Sequence, residues 1–158
     1  VNSDDGFLVL DLNQNGVIDN GLEMFGDHTV LPDGTVAANG IVALEQYDSN
    51  GDSNINILDD TFSHLQVWRD LNQNGVTDVG ELFSLDELGI QSFSLVHHYA
   101  GTAQDENEVA YTLSFTDTSG NQRVAAEVVF NTSTLYTSAS DLVEVPESIQ
   151  SLPELAFM

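Results

Sequence analysis

Asp70-Leu71-Asn72-Gln73-Asn74-Gly75-Val76-Thr77-Asp78-Val79-Gly80-Glu81 is the stretch that decides how the chain is read. It fits the calcium-loop pattern D-x-[DN]-x-[DN]-G-x5-E at every specified position. A hard dication takes about six to eight oxygen ligands at short range. In a tightly coiled loop, positions one, three and five point inward, and here they are Asp70, Asn72 and Asn74. Gly75 stands where the backbone turns sharply and a Cβ is unwelcome. Val76 offers its carbonyl, and Asp78 holds position nine, where contact often runs through a water. Glu81 closes the loop with two carboxylate oxygens and is expected to open an exit helix. The alternative is a polar Asn/Gly turn without an ion, which the five constrained positions disfavour.

Outward from this loop, the heptapeptide Asp-Leu-Asn-Gln-Asn-Gly-Val recurs at 11–17 and 70–76. The earlier copy supplies Asp11, Asn13, Asn15, the Val17 carbonyl, Asp19 and Glu23, the last acid falling one residue later than the pattern asks. A third loop runs from Asp48 to Asp59, with Asp48, Asn50 and Asp52 at positions one, three and five and Asn54, Asn56 and Asp59 completing the set. Ile55 matches Ile18 at the buried position eight. Two residues depart from the pattern. Ser53 replaces the turn glycine, a cost of about 1 kcal/mol if its dihedral is left-handed, and Asp59 is shorter than a glutamate. Asp27 reads either as a further ligand or as a turn residue.

Composition sets the partners. The chain has 158 residues, with 26 acids against two basic residues and a formal charge of −24. Such a charge repels nucleic acid and anionic membrane, and it opposes compaction unless cations are bound. Solvation in a salty environment is the simpler alternative. Cysteine is absent, which removes disulfides and thiolate metal sites. No apolar run approaches the ~18 residues of a membrane span. Zinc is disfavoured because His97 and His98 are adjacent and point apart on a strand. No G-x-S-x-G motif is present, so a serine hydrolase of that type is not expected. His64 reads as a surface or packing residue, and Trp68 as a residue that packs the helices expected to flank the loops.

The expected fold is α+β: EF-hand-like calcium loops with short helices, followed by a small antiparallel β-sheet or hairpin. Helices are expected over 36–47, 59–65 and 81–88, the last stopped by Gly89. Period-two alternation predicts strands over 90–95 and 109–115, and 124–130 is a further candidate strand, with Asp117-Thr118-Ser119-Gly120-Asn121 as a hairpin turn. The organisation expected is a calcium module over 1–96, a β-hairpin region over 97–131 that packs on it, and an extended tail or linker over 132–158.

Several pieces carry a resemblance: Gly-Phe-Leu-Val-Leu-Asp-Leu-Asn (6–13), Glu-Met-Phe-Gly-Asp (23–27), Asp-Gly-Thr (33–35), Asp-Ser-Asn-Gly-Asp (48–52), Val-Trp-Arg-Asp-Leu-Asn-Gln-Asn-Gly (67–75) and Glu-Leu-Gly-Ile (87–90). In this order and spacing they resemble the calcium-dependent self-processing modules of iron-regulated RTX proteins of the Frp type, and related segments of large RTX adhesins and toxins. The resemblance implies a bacterial protein exported by a type I route to the medium or cell surface, folding when it meets calcium. Its implied partners are calcium ions and neighbouring domains of a longer parent, with neither nucleic acid nor membrane insertion. In self-processing members it implies calcium-triggered cleavage of an Asp-Pro bond and joining of the new Asp end to a lysine. The present stretch has no Asp-Pro pair and no Lys, so it cannot perform that reaction on itself, and no catalytic residue is named. A calcium-binding, calcium-folded module is the leading expectation. A processing module acting on an upstream segment and an adhesive domain using the strand-rich region are the alternatives, and a cohesin-type docking role is less supported.

Overall fold

The computed structural model describes residues 5–104 and 107–129. The expected tail over 132–158 lies outside the described residues. Among the described residues, seven strands and one short helix form in the order β1 (Phe7–Leu10), α1 (Gly40–Glu45), β2 (Asn54–Asn56), β3 (Leu65–Trp68), β4 (Leu82–Ser84), β5 (Ile90–Gln104), β6 (Asn107–Asp117) and β7 (Gln122–Val129), with single 3₁₀ turns at Gly21–Glu23 and Phe62–His64. They make two antiparallel sheets, a three-stranded one ordered β1-β3-β4 and a four-stranded one ordered β2-β5-β6-β7.

In the small sheet β1 packs apolar side chains on both faces, which explains why Phe7-Leu8-Val9-Leu10 is an unbroken apolar run. Side chains alternate along a strand. Leu8 and Leu10 of β1, with Leu65 and Val67 of β3, face the main core beside Ile41, Leu44, Ile55, Leu85, Phe93, Leu95 and Leu113. Phe7 and Val9, with Trp68 and Leu82, face the other way onto a second cluster that includes Ile18 and Met24. The main core lies between the small sheet, α1 and the inner face of the four-stranded sheet. Burial of these residues, at about 1.5–3 kcal/mol for each large aliphatic side chain, holds the two sheets together.

The α+β expectation with helix-flanked EF-hand loops is corrected: the described residues are mostly β, and no loop exits into an α-helix. The segment after Glu81 forms β4, paired with β3 through Val67↔Phe83 and Trp68↔Leu82. A reciprocal capping box then forms, in which Ser84 N–H donates to Glu87 Oε2 at 2.8 Å and Glu87 N–H donates to Ser84 Oγ at 3.2 Å. Only one turn fits between this start and Gly89, whose φ is +65°. The helix expected over 36–47 contracts to Gly40–Glu45 because Asn39 caps it, its Oδ1 accepting from Val42 N–H at 2.8 Å. Gly40 is required there, since a Cβ would come within 2.7 Å of the Phe25 carbonyl oxygen. The helix expected over 59–65 is a 3₁₀ turn running into β3. The three expected strands and the 117–121 turn are present, and β5 and β6 are longer than the alternation indicated.

Candidate functional site

The three acidic loops share one hydrogen-bond plan. At position one, Asp70 accepts from Asn74 N–H at 3.0 Å and Gly75 N–H at 2.8 Å. Asp11 does the same for Asn15 at 3.2 Å and Gly16 at 2.7 Å. Asp48 does so for Asp52 at 3.2 Å and Ser53 at 2.8 Å, with Gly51 N–H in addition at 2.8 Å. At position three, Asn72, Asn13 and Asn50 each accept from the amide of position five, at 3.0, 3.0 and 2.8 Å. At position five, Asn74, Asn15 and Asp52 each accept from the amide of position seven, at 2.7, 2.9 and 2.8 Å. These successive Asx turns coil the backbone around the side-chain oxygens of positions one, three and five.

The coil needs left-handed residues, and Gly16, Gly75 and Ser53 at position six have φ of +84°, +72° and +63°. Position four is also left-handed, at Gln14, Gln73 and Gly51. Ser53 therefore takes the strained conformation that its replacement of glycine predicts.

The closing acids are the most buried polar groups of the loops. Glu23, Asp59 and Glu81 are 1%, 4% and 3% exposed. Each clasps the two ends of its loop. Glu81 accepts from Leu71 N–H and Asp78 N–H, both at 3.0 Å. Glu23 accepts from Leu12 N–H at 3.2 Å and Asp19 N–H at 3.0 Å. Asp59 accepts from Ser49 N–H and Asn56 N–H, both at 2.9 Å. In all three, an i→i−3 turn carries the acid into place: Asp78–Glu81, Asn56–Asp59 and Asn20–Glu23. In the first loop this turn starts one residue later, which is why the late acid still reaches the same two amides. Asp59, though shorter, makes the same clasp. Burial works against its charge, but the amides of Asn56 and Ser49 and the Ser49 hydroxyl outweigh it and hold the carboxyl below its ordinary pKa.

Across the mouth of the strongest loop, Asn72 Nδ2 and Asn74 Nδ2 both donate to Asp78 Oδ2, at 2.7 and 2.9 Å. Positions three, five and nine thus converge. In the first loop, Asn15 Nδ2 donates to Asp19 Oδ2 at 2.7 Å. Bonds from Asn20 and then Asn15 lower the Asp19 pKa. The 48–59 loop is looser: Asn50 Nδ2 meets Asp52 Oδ2 at 3.2 Å, while Asn56 Oδ1 accepts from Leu58 N–H at 2.9 Å and Asn54 Nδ2 turns back to the Asp52 carbonyl at 3.0 Å. Val17 and Val76 are exposed at their positions. Among the described residues, no group of three or more His, Cys, Asp or Glu side chains is gathered as for a metal ion. The loops gather mixed sets instead, of carboxylates, amide oxygens and backbone.

Thr77 is a functional candidate that the motif does not name. It is buried at position eight, opposite Ile18. Its hydroxyl accepts from Ile18 N–H at 3.1 Å and donates to Ile18 O at 3.2 Å. A polar residue at a position that holds isoleucine in the other two loops was the available signal. Trp68 packs not between flanking helices, which do not form, but on the small-sheet cluster with Val9 and Ile18, and its indole N–H donates to Glu81 Oε2 at 3.4 Å. Asp27 sits at the surface against His28, at 2.6 Å. His97 is half-buried against Tyr111 and His98 is exposed.

A family model described as the SPM domain matches residues 1–131. The chain belongs to the SPM domain family. This SPM domain is also 44% identical over 146 residues to the iron-regulated protein FrpA of Neisseria meningitidis serogroup C, a match covering 92% of the chain and 13% of that protein. The resemblance to a segment of Frp-type proteins therefore holds, and the match extends past the pieces at 6–90 into the β6–β7 hairpin. What this SPM domain matches is a segment of a much longer protein. No helix among the described residues is long and apolar enough to cross a membrane.

Proposed function

We propose that this SPM domain is a calcium-binding, calcium-folded module of a secreted RTX-type protein. The threefold repetition of one coiled loop supports this reading most: the same Asx turns, left-handed positions and closing clasp recur at 11–23, 48–59 and 70–81. The donors are oxygens of carboxylate, amide and backbone, the set that a hard cation prefers. Two side-chain amides donate to one Asp78 oxygen at the mouth of the strongest loop, so positions three, five and nine already converge where a cation would take the place of those donors. Each clasping oxygen bonds one amide or two donors and keeps acceptor capacity in its second lone pair or carboxylate partner. A bound calcium ion supplies positive charge that offsets the acids around it.

Charge gives the reading its energetic logic. In calcium-poor cytosol, the −24 charge favours an expanded, exportable chain. Outside, each ion binds only the folded loop, so binding free energy is folding free energy. With free calcium about tenfold above a site's Kd, a site adds about 1.4 kcal/mol. Three sites add about 4 kcal/mol, a large share of the ~5–15 kcal/mol of an ordinary domain. Asparagines at positions three and five lower the loop charge and point to weak, extracellular-type affinity. Since this stretch has no Asp-Pro pair, any self-processing it supports would act on a peptide elsewhere in a longer parent.

Calorimetric titration with calcium, paired with melting followed by circular dichroism with and without chelator, tests the reading. One equivalent per loop and a higher Tm with calcium are expected. A Tm that chelator leaves unchanged would overturn it.

A further inference from the structure

We propose that loops 11–23 and 70–81 form one cooperative unit, coupled through the Thr77 hydroxyl, and that loop 48–59 responds to calcium separately. This inference rests on the calcium reading above and adds which sites communicate.

The two loops leave opposite ends of the antiparallel β1–β3 pair, after Leu10 and after Trp68. They cross one face of the small sheet from opposite directions and meet at position eight. There the Thr77 hydroxyl bonds both backbone groups of Ile18, at 3.1 and 3.2 Å, in a buried setting. Neither Ile18 group has water to fall back on, so the position of one loop dictates that of the other.

A second connection runs beneath. Ile18 packs with Val9 and Trp68, and Met24, next to the clasp Glu23, packs on the same cluster. Met24 also bridges to Val9. Trp68 donates to the opposite clasp, Glu81. Both closing acids therefore sit on one small core, and ordering either loop orders the wall of the other.

Loop 48–59 makes neither connection. Its position eight, Ile55, pairs with Phe93 of β5 and lies in the main core. Ser53 O accepts from Leu95 N–H at 2.9 Å. Its mechanical partner is the four-stranded sheet.

Calcium titration of the whole chain, followed by the amide resonances of Gly16, Ser53 and Gly75, resolves the loops one by one, because each of these amides donates to its own position-one aspartate. In the natural chain Gly16 and Gly75 should shift together with a Hill slope above one, and Ser53 on a separate curve. Asp70→Asn should weaken calcium at loop 11–23 by about fivefold or more, the low end of ordinary coupling, and leave loop 48–59 unchanged. Thr77→Val, which keeps the shape and removes the hydroxyl, should uncouple the two curves. Thr77→Ser should restore the coupling. Loop 11–23 binding that ignores both Asp70→Asn and Thr77→Val would overturn the proposal.

If the natural chain binds no calcium, the calcium reading fails, and amide exchange in chelator decides the coupling. Thr77→Val should then speed exchange at Leu12, Ile18 and Asp19 while Ser49 and Asn56 keep their rates. Equal rates in the two loops would overturn the coupling as well.

Discussion

Loop 48–59 departs from the calcium pattern at two positions that loop 70–81 keeps, yet the two coil alike. Ser53 stands where the other has Gly75, and both are left-handed, at +63° and +72°. Asp59 stands where the other has Glu81, and both clasp the amides of positions two and nine. Bonds from backbone amides to the side-chain oxygens of positions one, three and five and of the closing acid, six in loop 70–81 and seven in loop 48–59, impose the coil, and a residue of unfavourable dihedral is carried along by them. What separates the two loops is their backing. One leans through Thr77 and Trp68 on its neighbour loop, the other through Ile55 on the large sheet.

Removing the clasps should have the largest effect. Hydrogen bonds to a charged group contribute about 1.5–3 kcal/mol each, so Glu81→Ala and Asp59→Ala should each cost about 3 kcal/mol or more in urea unfolding under chelator. Glu81 also accepts from the single tryptophan, so only Glu81→Ala should alter the native fluorescence spectrum. A silent Asp59→Ala would break the equivalence and leave loop 48–59 held by its strand pairing alone.

Exchanging position six should have an intermediate effect of opposite sign in the two loops. A Cβ added at Gly75 meets nothing within 4 Å, so Gly75→Ser isolates the dihedral cost and should destabilise by about 1–2 kcal/mol. Ser53→Gly should stabilise, by about 0.5 kcal/mol once the greater freedom of glycine in the unfolded chain is subtracted. Urea midpoints read both. A destabilising Ser53→Gly would show that the Ser53 side chain contributes more than its backbone strain costs.

The loops and the hairpin were legible because their signals are local. The Asx-turn residues recur at fixed spacing, and 109–115 alternates ahead of a Gly-Asn turn and a second apolar run. The helices were misread because Leu82, Leu85 and Leu88 suit a helical stripe equally well as a strand followed by one turn. In the structure Leu82 lies over Trp68 on one core while Leu85 enters the other. The Ser84-Leu85-Asp86-Glu87 capping box was a sequence signal that any helix starts at Ser84, three residues beyond Glu81, with no room to grow before Gly89. The strands β1 and β3 were hidden for a different reason. A four-residue apolar run has no periodicity to show when both faces are buried, and only the pairing of residues 7–10 with 65–68 reveals it. The clasp was anticipated as metal ligands. The motif names the acid but is blind to the two amides it binds, because those lie on the backbone.

The smallest expected effect concerns pH, and it sets the 48–59 clasp against the carboxyl that ties β7 of the four-stranded sheet to α1. Burial opposes the charge of Asp59, but its bonds from Asn56 and Ser49 prevail, and its folded pKa is lowered. Its contribution is therefore present above the unfolded value of about 3.9 and is lost as pH falls through the folded value. Glu127 accepts from Gly40 N–H at 3.1 Å, but its Oε2 is buried with no hydrogen-bond partner. Burial leads there, with Asp27 adding to it and the Gly40 bond and His97 opposing, and the folded pKa is raised. Its contribution is present below the unfolded value of about 4.3 and is lost as pH rises through the folded one. Melting under chelator should then give opposite trends. Asp59→Asn should lower Tm at pH 7, with the deficit shrinking below about pH 4. Glu127→Gln should raise Tm at pH 7, with the gain vanishing near pH 4 as the natural carboxyl protonates. Trends of the same sign would mean that the Glu127 carboxylate has found a donor in solution, and that the clasp is not alone in holding its charge by backbone amides.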